Sequence, residues 1–442
     1  MTLAIVCLVL AVVLILLGMH VGVSFLTVSF LHQMISHGSV RSFARQVFSS
    51  HNSYSLLAVP LFSLGGLLME KSGIADSLID WCERLLRKVK GGIGAVIPLA
   101  SMLFGMLTGS SLATVNTIGN VMIPKMERIG WDKTYTAALV AASGPLGYMI
   151  PPNMNAIIFS LVSPASVADL FLAGVIPGII WGVGYILMNR LIYHKWIGGP
   201  AAAEVKTHRS ASAPDNAVKA EKSFGRMTVE AIPAFFMPVI IIGGIYGGIF
   251  SPTEAGAVSA LYACVIGWLV YRRLKAKDVF DTFISTGRTL GTILVVMPFA
   301  AVFSTILIMQ GFPDAVMKIT LGITTNKFLI LLVFDVLFLI AGCFFDASVL
   351  TLVIPPLLMP TMNSLGVDPV QFGCIVFMAL GIGSITPPLA GGLYLSAKIA
   401  DVEVRDIMKP MMPFLLGVSL PVMLLVTYVP AVSLWLPHLI NG

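Results

Sequence analysis

Residues 143–155 read Ser143-Gly144-Pro145-Leu146-Gly147-Tyr148-Met149-Ile150-Pro151-Pro152-Asn153-Met154-Asn155 and interrupt a long apolar stretch. A second apolar stretch carries a similar interruption, Gly381-Ile382-Gly383-Ser384-Ile385-Thr386-Pro387-Pro388-Leu389-Ala390-Gly391-Gly392. Proline removes a backbone donor and frees a carbonyl one turn earlier. Each stretch is therefore predicted to be a helix broken in its middle, although a merely kinked helix is the alternative when either break is taken alone.

The two breaks belong to an internal repeat. Their double prolines lie 236 residues apart (387 − 151 = 236). The same offset joins Pro124, Met126, Gly130 and Asp132 to Pro360, Met362, Gly366 and Asp368. Upstream, Pro60 matches Pro298 at an offset of 238 (298 − 60 = 238). A nearly fixed offset across Gly, Pro and Asp is hard to obtain by chance. We predict a first repeat at 1–194, a cytoplasmic linker at 195–228 and a second repeat at 229–442.

The composition places the chain in a membrane. Its 442 residues are 57% apolar and 11% charged, whereas a soluble domain carries about a quarter charged residues. Spanning helices are predicted near 3–31, 54–70, 134–160, 171–194, 229–250, 254–271, 289–309, 369–398 and 411–438. The first run lacks the basic start and cleavage site of a signal peptide, so it is predicted to be one spanning helix. The amphipathic segment 71–91 is predicted to lie along the membrane surface.

The loop charges predict that the two repeats have opposite orientations. The net charge of +6 comes from basic residues in short loops, a pattern typical of membrane topology rather than of nucleic-acid binding. Loops 71–91 and 125–133 are rich in Lys and Arg, whereas their counterparts 310–327 and 361–368 are poor in them. We therefore expect the first interrupted segment to face the cytoplasm and the second to face the periplasm, as in many secondary transporters.

Two further apolar stretches, 92–124 and 328–360, are interrupted by small or polar residues. Each is predicted to be a re-entrant hairpin, with tips at Gly109-Ser110-Ser111 and at Asp346-Ala347-Ser348. Non-helical backbone at membrane depth persists only where it is buried in protein or lines a cavity. The alternatives are close helix packing through Gly and Ser at the first tip, and a structural ion pair or helix cap for Asp346.

Motifs for other functions are missing from the sequence. The five cysteines form no C-x-x-C pair and are interpreted as small apolar residues, and the seven histidines are scattered. There is no nucleotide-binding G-x-x-x-x-G-K-[ST] motif. The chain is therefore not expected to be an enzyme or to use ATP itself.

Several ordered motifs resemble the large membrane subunit of TRAP (tripartite ATP-independent periplasmic) transporters. The motifs are Val59-Pro60-Leu61-Phe62 with Gly66; Gly109-Ser110-Ser111 with Thr114; Ala142-Ser143-Gly144 with Gly147 and Ile150-Pro151-Pro152; Gly243-Gly244-Ile245-Tyr246-Gly247-Gly248 with Pro252-Thr253-Glu254-Ala255; Phe345-Asp346; and Thr386-Pro387-Pro388. They span nearly the whole chain. Pro145, Tyr148, Asn153 and Asn155 at the first break and Ala390-Gly391-Gly392 at the second are less usual for the family, so the resemblance does not transfer a particular substrate.

The resemblance implies an all-α polytopic inner-membrane protein of the ion-transporter superfamily, with an elevator mechanism driven by Na⁺ symport. It implies uptake of a small organic anion, such as a sialic acid, a sugar acid or a C4-dicarboxylate. The implied partners are a small four-helix membrane subunit and a periplasmic substrate-binding protein. The implied Na⁺ ligands are Ser110, Ser111, Ser143, Gly144, Gly147, Asp346, Gly381, Gly383, Ser384 and Thr386. The candidate substrate contacts are Thr114, Asn153, Asn155 and Ser348.

Two other functional classes remain open at the level of the sequence. A stand-alone Na⁺- or H⁺-coupled anion symporter of related architecture would move its substrate without a soluble partner. A passive channel would lack alternating access, and a membrane scaffold would need no matched unwound segments. Neighbouring genes for a secreted binding protein and a small four-helix protein would favour the tripartite function.

Overall fold

The computed structural model describes residues 2–36, 39–89, 91–196 and 224–441. Every regular element in these ranges is a helix. Six of these helices are long and apolar enough to cross a membrane, and up to eight spans result if each of two bent helix pairs counts as one. The prediction of an all-helical, multi-pass membrane protein is confirmed.

The described part of the first half contains eleven α-helices, besides two short 3-10 helices: α1 (Thr2–Leu16), α2 (Val21–Ile35), α3 (Val40–His51), α4 (Ala58–Ser72), α5 (Ile74–Leu86), α6 (Gly92–Thr108), α7 (Ser111–Arg128), α8 (Lys133–Ser143), α9 (Leu146–Met149), α10 (Met154–Ser160) and α11 (Val167–Ile192). Helices α6 and α7 meet at the first predicted tip. Helices α8, α9 and α10 together form the first broken helix. The predicted interruption at the double proline is therefore present.

From Phe224 to Asn441 the second half also contains eleven α-helices, besides two short π-helical segments: α12 (Phe224–Tyr246), α13 (Pro252–Val265), α14 (Ala276–Met309), α15 (Phe312–Ile323), α16 (Lys327–Phe344), α17 (Ala347–Ser364), α18 (Pro369–Gly383), α19 (Gly391–Ala400), α20 (Val404–Phe414), α21 (Leu420–Tyr428) and α22 (Pro430–Asn441). Helices α16 and α17 meet at the second predicted tip, and α18 and α19 form the second broken helix. That each pair of tip helices enters and leaves the bilayer on one side stays a prediction.

The helices around the breaks form the buried centre of the protein, and other helices present apolar surface outwards. Nearly every residue of α8 and α18 is buried. On α16, by contrast, Phe328, Leu332, Val336 and Ile340 repeat every four residues and are exposed. That spacing marks one face of a helix, and an exposed apolar stripe of this kind is suited to contact lipid.

Matched positions in the two halves carry the same local structure. Asp132 caps α8 by accepting the N–H of Thr134 at 2.7 Å, and Asp368 caps α18 by accepting the N–H of Val370 at 2.7 Å. Both caps lie 236 residues apart (368 − 132 = 236). Gly130 and Gly366 just before them both have a positive φ, the left-handed conformation that ends a helix most readily at glycine.

The contacts between the halves are reciprocal. The far arm of the first broken helix, α10, packs on α17 of the second half, and the far arm of the second, α19, packs on α7 of the first. Gly381 lies so close to Pro145 that a methyl group on it would be 3.2 Å from the proline Cβ, and these two residues are themselves repeat counterparts (381 − 145 = 236). A two-fold axis between the halves would generate this arrangement. Their opposite orientation in the membrane stays a prediction.

Two predicted spans are wrong in detail. The run 3–31 is two helices, because Gly18 adopts a φ of +88° and Met19 donates its N–H to the Leu14 carbonyl, which closes α1 with a glycine cap. The run 411–438 is divided at Val429, whose φ of −119° and ψ of 87° are not helical. Steric conflict with the following Pro430 disfavours a helical Val429.

Most of the predicted linker lies outside the described residues. Helix α12 already includes Phe224, so the second half begins earlier than the predicted residue 229. Helix α13 begins with a capping box, in which Ser251 accepts the N–H of Glu254 and the Glu254 carboxylate accepts the N–H of Ser251.

Candidate functional site

The first tip lies directly on the first break. Helix α6 ends at Thr108, and Gly109 follows with a φ of +60°. A methyl group at Gly109 would lie 2.7 Å from the Pro152 carbonyl oxygen and 3.2 Å from the Asn153 Cα, so any larger residue would push the tip away from the break. Ser110 then caps α7 by accepting the N–H of Ala113. Glycine is therefore required here both for its conformation and for its size.

The arms of the first tip also touch α9 through backbone. A methyl group at Gly147 would lie 3.0 Å from the Ser110 carbonyl oxygen and 3.1 Å from the Thr114 hydroxyl oxygen. A methyl group at Gly105 would lie 2.8 Å from the Gly147 Cα. Predicted ligands Ser110 and Gly147 are therefore neighbours. Thr114 is fully buried, and its hydroxyl donates to the Ser110 carbonyl at 2.8 Å.

Two buried hydroxyl groups at this junction have no hydrogen-bond partner among the described residues. They are Ser111 Oγ at the start of α7 and Ser143 Oγ at the end of α8. Ser111 Oγ would lie 3.0 Å from a methyl group at Gly144, the residue after Ser143. A buried hydroxyl left unpaired costs about 1–3 kcal/mol, and such groups in native structures often mark an ion or water that binds there.

The two candidate substrate asparagines follow the double proline. Asn153 caps α10 by accepting the N–H of Ala156 at 2.7 Å, which leaves its amide nitrogen without a partner in the described structure. Both polar atoms of the Asn155 side chain are buried and likewise unpartnered there. These amides can donate to an anion and accept from a hydroxyl group, as a ligand with both functions requires.

The second tip is built differently from the first. Phe345 ends α16, and Asp346 caps α17 by accepting the N–H of Ser348 at 2.8 Å. The alternative interpretation of Asp346 as a helix cap is therefore correct, but its second oxygen remains available because the residue is exposed. An exposed carboxylate in an apolar segment has to face water, a cation or a polar partner rather than lipid.

The second tip is fixed to the second break by the same glycine contact as in the first half. A methyl group at Gly383 would lie 2.6 Å from the Gly342 Cα, the counterpart of the contact between Gly105 and Gly147. The N–H of Leu389 donates to the Cys343 carbonyl at 3.1 Å. Backbone packing of this kind holds each tip against its own break.

Two hydroxyl groups of the second break donate hydrogen bonds to backbone carbonyls one helical turn earlier. Ser384 donates to the Gly381 carbonyl at 2.7 Å, and Thr386 donates to the Ile382 carbonyl at 2.8 Å. Each hydroxyl oxygen keeps lone pairs that can bind a cation. The start of α19 then reaches the first tip, since a methyl group at Gly391 would lie 3.5 Å from Leu112. Both halves therefore line the space between the two tips.

All fourteen predicted site residues lie at the two junctions of tip and break. At the first junction the structure places Gly147 against Ser110 and Thr114, and Gly144 against Ser111. Ser143 directly precedes Gly144, and Asn153 lies beside the tip at Gly109. Asn155 lies in α10, directly after the first break. The remaining predicted residues lie at the second junction. Sequence reasoning missed Asp335, an acid buried in the middle of α16. The signal that selected Asp346, an acid inside an apolar stretch, applies equally to Asp335.

A model of the family described as the tripartite ATP-independent periplasmic transporter, DctM component, matches residues 8–432. The chain belongs to this family. It is therefore a multi-pass TRAP permease component of the inner membrane and not an enzyme. The resemblance of the tip and break motifs to TRAP large subunits is confirmed.

Curated TRAP relatives match most of the chain. The C4-dicarboxylate TRAP transporter large permease protein DctM of Pseudomonas aeruginosa is 33% identical over 405 residues, which cover 92% of this chain and 91% of that protein. The sialic acid TRAP transporter large permease protein SiaM of Vibrio cholerae is 31% identical over 428 residues, covering 96% of each. The isethionate TRAP transporter permease protein DctMQ of Oleidesulfovibrio alaskensis is 33% identical, and the chain spans 59% of its length.

A solved structure shares the fold of this TRAP permease at low sequence identity. The YdaH transporter of Alcanivorax borkumensis superposes with a TM-score of 0.63 and 16% identity, covering 88% of both chains. At that identity the likeness shows the architecture alone.

The burial of Cys82 in α5 raises the pKa of its thiol to about 12, which agrees with the interpretation of the cysteines as apolar packing groups.

Proposed function

We propose that this TRAP permease carries a small organic anion into the cell in symport with Na⁺. The observation that carries the proposal is the pair of buried, unpartnered hydroxyls of Ser111 and Ser143 beside Gly144. Oxygen atoms without sulfur or imidazole donors suit a hard cation. A Na⁺ ion bound there would remove the cost of leaving both hydroxyls unpaired.

The second junction supplies a further set of oxygen ligands. Asp346 offers a carboxylate oxygen not used by the helix cap, and Ser384 and Thr386 offer hydroxyl oxygens. Gly383 allows the backbone of the second break to approach Gly342 of the second tip, and Gly381 allows it to approach Pro145 of the first break. One coupling ion at each junction is the arrangement we propose, with the negative charge of Asp346 balancing the ion at the second.

The space between the two tips is the proposed site for the organic anion. The tips and breaks, residues 109–111, 143–155, 346–348 and 381–392, contain no Lys or Arg. A carboxylate would therefore rely on bound Na⁺, on the amides of Asn153 and Asn155, and on the N-terminal end of α19, where the helix dipole favours an anion. Relatives named for C4-dicarboxylate, sialic acid and ectoine support a small organic acid or zwitterion as substrate.

Weak contacts at the membrane site favour a soluble receptor. A site without fixed positive side chains would capture a dilute anion poorly, so a periplasmic binding protein would supply affinity and selectivity. A small four-helix membrane subunit is the other proposed partner, as the tripartite family description supports. We further propose that the two junctions move together as one elevator body, because glycine contacts fix each tip to its break.

Reconstituted vesicles test the proposal. They would contain this chain with a small TRAP membrane subunit, and a periplasmic binding protein would deliver radiolabelled substrate. We expect uptake to require both an inward Na⁺ gradient and the soluble protein, without ATP. Uptake that persists after Na⁺ removal would contradict the coupling ion. Full-rate uptake from micromolar substrate without the soluble protein would instead identify a stand-alone symporter.

A further inference from the structure

Asp335 is a fully buried acid in the first arm of the second tip. Its side chain has no exposed surface. It lies eight residues after Lys327, or about 12 Å along the helix at 1.5 Å per residue. The exposed stripe of α16 points elsewhere, so Asp335 faces the protein interior and not lipid. A carboxyl group at this depth is costly unless it is paired or neutral.

The partners of Asp335 are uncharged. Thr427 Oγ1 of α21 lies 3.2 Å from Asp335 Oδ1 and 3.0 Å from the Met423 carbonyl oxygen. Asp335 Oδ2 has no hydrogen-bond partner among the described residues. From α18, Gln371 donates to the Val426 and Thr427 carbonyls at 3.2 and 3.0 Å. No Lys or Arg of the described ranges forms an ion pair with Asp335.

The hydrogen count at this cluster favours a neutral carboxyl group. The Thr427 hydroxyl has one hydrogen but two oxygen neighbours, Asp335 Oδ1 and the Met423 carbonyl. If Thr427 donates to Met423, as helical threonines commonly do, its oxygen can accept a hydrogen from Asp335. An ionised carboxylate could accept the Thr427 hydrogen at Oδ1, but its Oδ2 would have no donor among the described residues and its charge would be unpaired in the interior.

A metal ion fits the same cluster poorly. Among the described residues, hydrogen bonding brings only the Asp335 carboxyl and the Thr427 hydroxyl together here. Asp335 lies inside the continuous helix α16, so the site has none of the free backbone carbonyls that the two breaks can add to their side-chain oxygens. The neighbouring Val426 and Thr427 carbonyls already accept hydrogen bonds from Gln371. The smallest cation, a proton, needs one oxygen to hold it and one to accept its hydrogen bond.

We propose that Asp335 is a proton-binding site of this permease, and that the bound proton holds α16 against α18 and α21. Helix α16 leads directly into Asp346 and carries the Gly342 contact to the second break. Loss of the proton to water would leave a buried charge, so packing of the second tip against the second break becomes linked to protonation of Asp335. The packed tip is favoured at low pH and is released as pH rises.

The charged and titratable surroundings of Asp335 are few. On α21, Tyr428 donates its hydroxyl to the Phe328 carbonyl at 2.9 Å. On α16 itself, the Lys327 ammonium donates to the Gly366 carbonyl at 3.3 Å, and the Cys343 thiol donates to the Leu339 carbonyl at 3.1 Å. On α18, the titratable groups are Asp368 at the cap and Cys374 within the helix, and α17 has none. A pH response of this arm would therefore come chiefly from Asp335.

Infrared spectroscopy of the purified permease in lipid nanodiscs tests the protonation directly. Wild type should show a protonated carboxyl C=O band at neutral pH that Asp335→Asn lacks and Asp368→Asn retains. Asp368 is the matched control because it caps the neighbouring helix and Asn can replace it there. An identical band in wild type and Asp335→Asn would overturn the proposal. If Asp335→Asn fails to assemble, Thr427→Val keeps the carboxyl and must shift the band, and an unshifted band contradicts the assignment.

Transport measurements test whether the protonation of Asp335 is linked to uptake. The infrared readout needs neither Na⁺ nor substrate, so its failure is distinguishable from a failure of the proposed Na⁺ symport. At a fixed Na⁺ gradient, wild-type uptake should fall by up to about tenfold per pH unit above the midpoint of Asp335 deprotonation. Asp335→Asn should keep neutral-pH uptake and lose this decline, whereas Asp368→Asn should keep it. A merely structural role would lower uptake equally at every pH, and that result, or an unchanged decline in Asp335→Asn, would contradict the linkage.

Discussion

Replacing Ser111 by alanine is the sharpest perturbation of the first junction. The change removes one buried hydroxyl that has no partner in the described structure. If no ion binds there, losing an unpaired buried hydroxyl should leave the protein as stable as before or more stable. If Na⁺ binds there, the variant loses a ligand. The two accounts therefore predict opposite effects of the same substitution.

The expected loss follows from the chemistry of one ligand. An interaction between a charged group and a hydroxyl contributes about 1.5–3 kcal/mol, which corresponds to about 10- to 150-fold weaker Na⁺ binding. At a Na⁺ concentration about 100 times the wild-type Kd, ion binding stabilises the folded protein by about 2.7 kcal/mol. In Ser111→Ala that stabilisation should fall to between about 0.3 and 1.4 kcal/mol.

Thermal unfolding in detergent, followed as Na⁺ is titrated against K⁺ at constant ionic strength, measures this difference. Ser101→Ala is the matched control, because Ser101 Oγ in α6 is also buried without a described partner but lies eight residues before Gly109. Ser101→Ala should retain the full Na⁺-dependent rise in Tm. Equal Na⁺ responses of the two variants would refute the assignment of Ser111 as a ligand.

Three further predictions concern the second tip, the glycine contacts and the topology. Asp346→Ala should reduce Na⁺-driven uptake at least tenfold while folded protein remains in the membrane; normal uptake would exclude a coupling role. Gly147→Ala places a methyl group 3.0 Å from the Ser110 carbonyl oxygen, whereas the added methyl of Gly287→Ala meets nothing within 4 Å. Gly147→Ala should therefore impair uptake more than Gly287→Ala, and equal uptake by the two variants would contradict the tight junction. Cysteines replacing Lys125 and Asn363 should react with impermeant reagents from the cytoplasmic and periplasmic sides respectively, and labelling of both from one side would contradict the inverted repeats.

The parts of the fold that depend on local chemistry could be predicted from the sequence. The breaks at Pro151-Pro152 and Pro387-Pro388 follow from proline's missing donor, and the caps follow from Asp, Ser and Asn at helix starts. The division at Val429 was also predictable, because the residue before a proline avoids the helical conformation. The break at Gly18 carried a weaker signal, since a lone glycine inside an apolar run is also compatible with a continuous helix.

The parts of the site that depend on tertiary packing could not be predicted. The sequence indicates that Ser111 and Ser143 belong to neighbouring motifs, but only the fold shows that both hydroxyls are buried without partners. The approach of Gly381 to Pro145 likewise depends on how the two halves dock. Sequence reasoning missed Asp335 although it is an acid within an apolar stretch, and its enclosure by α18 and α21 is a property of the folded protein alone.

Counting the Na⁺ ions bound to the purified permease tests the central claim most directly. Equilibrium dialysis with radioactive Na⁺ in excess K⁺ would compare wild type, Ser111→Ala, Asp346→Ala and the double variant. The account predicts saturable Na⁺ binding with one ion at each junction, weakened at one junction in each single variant and at both in the double variant. Absence of saturable Na⁺ binding, or binding that neither substitution weakens, would contradict a Na⁺ site at the tips.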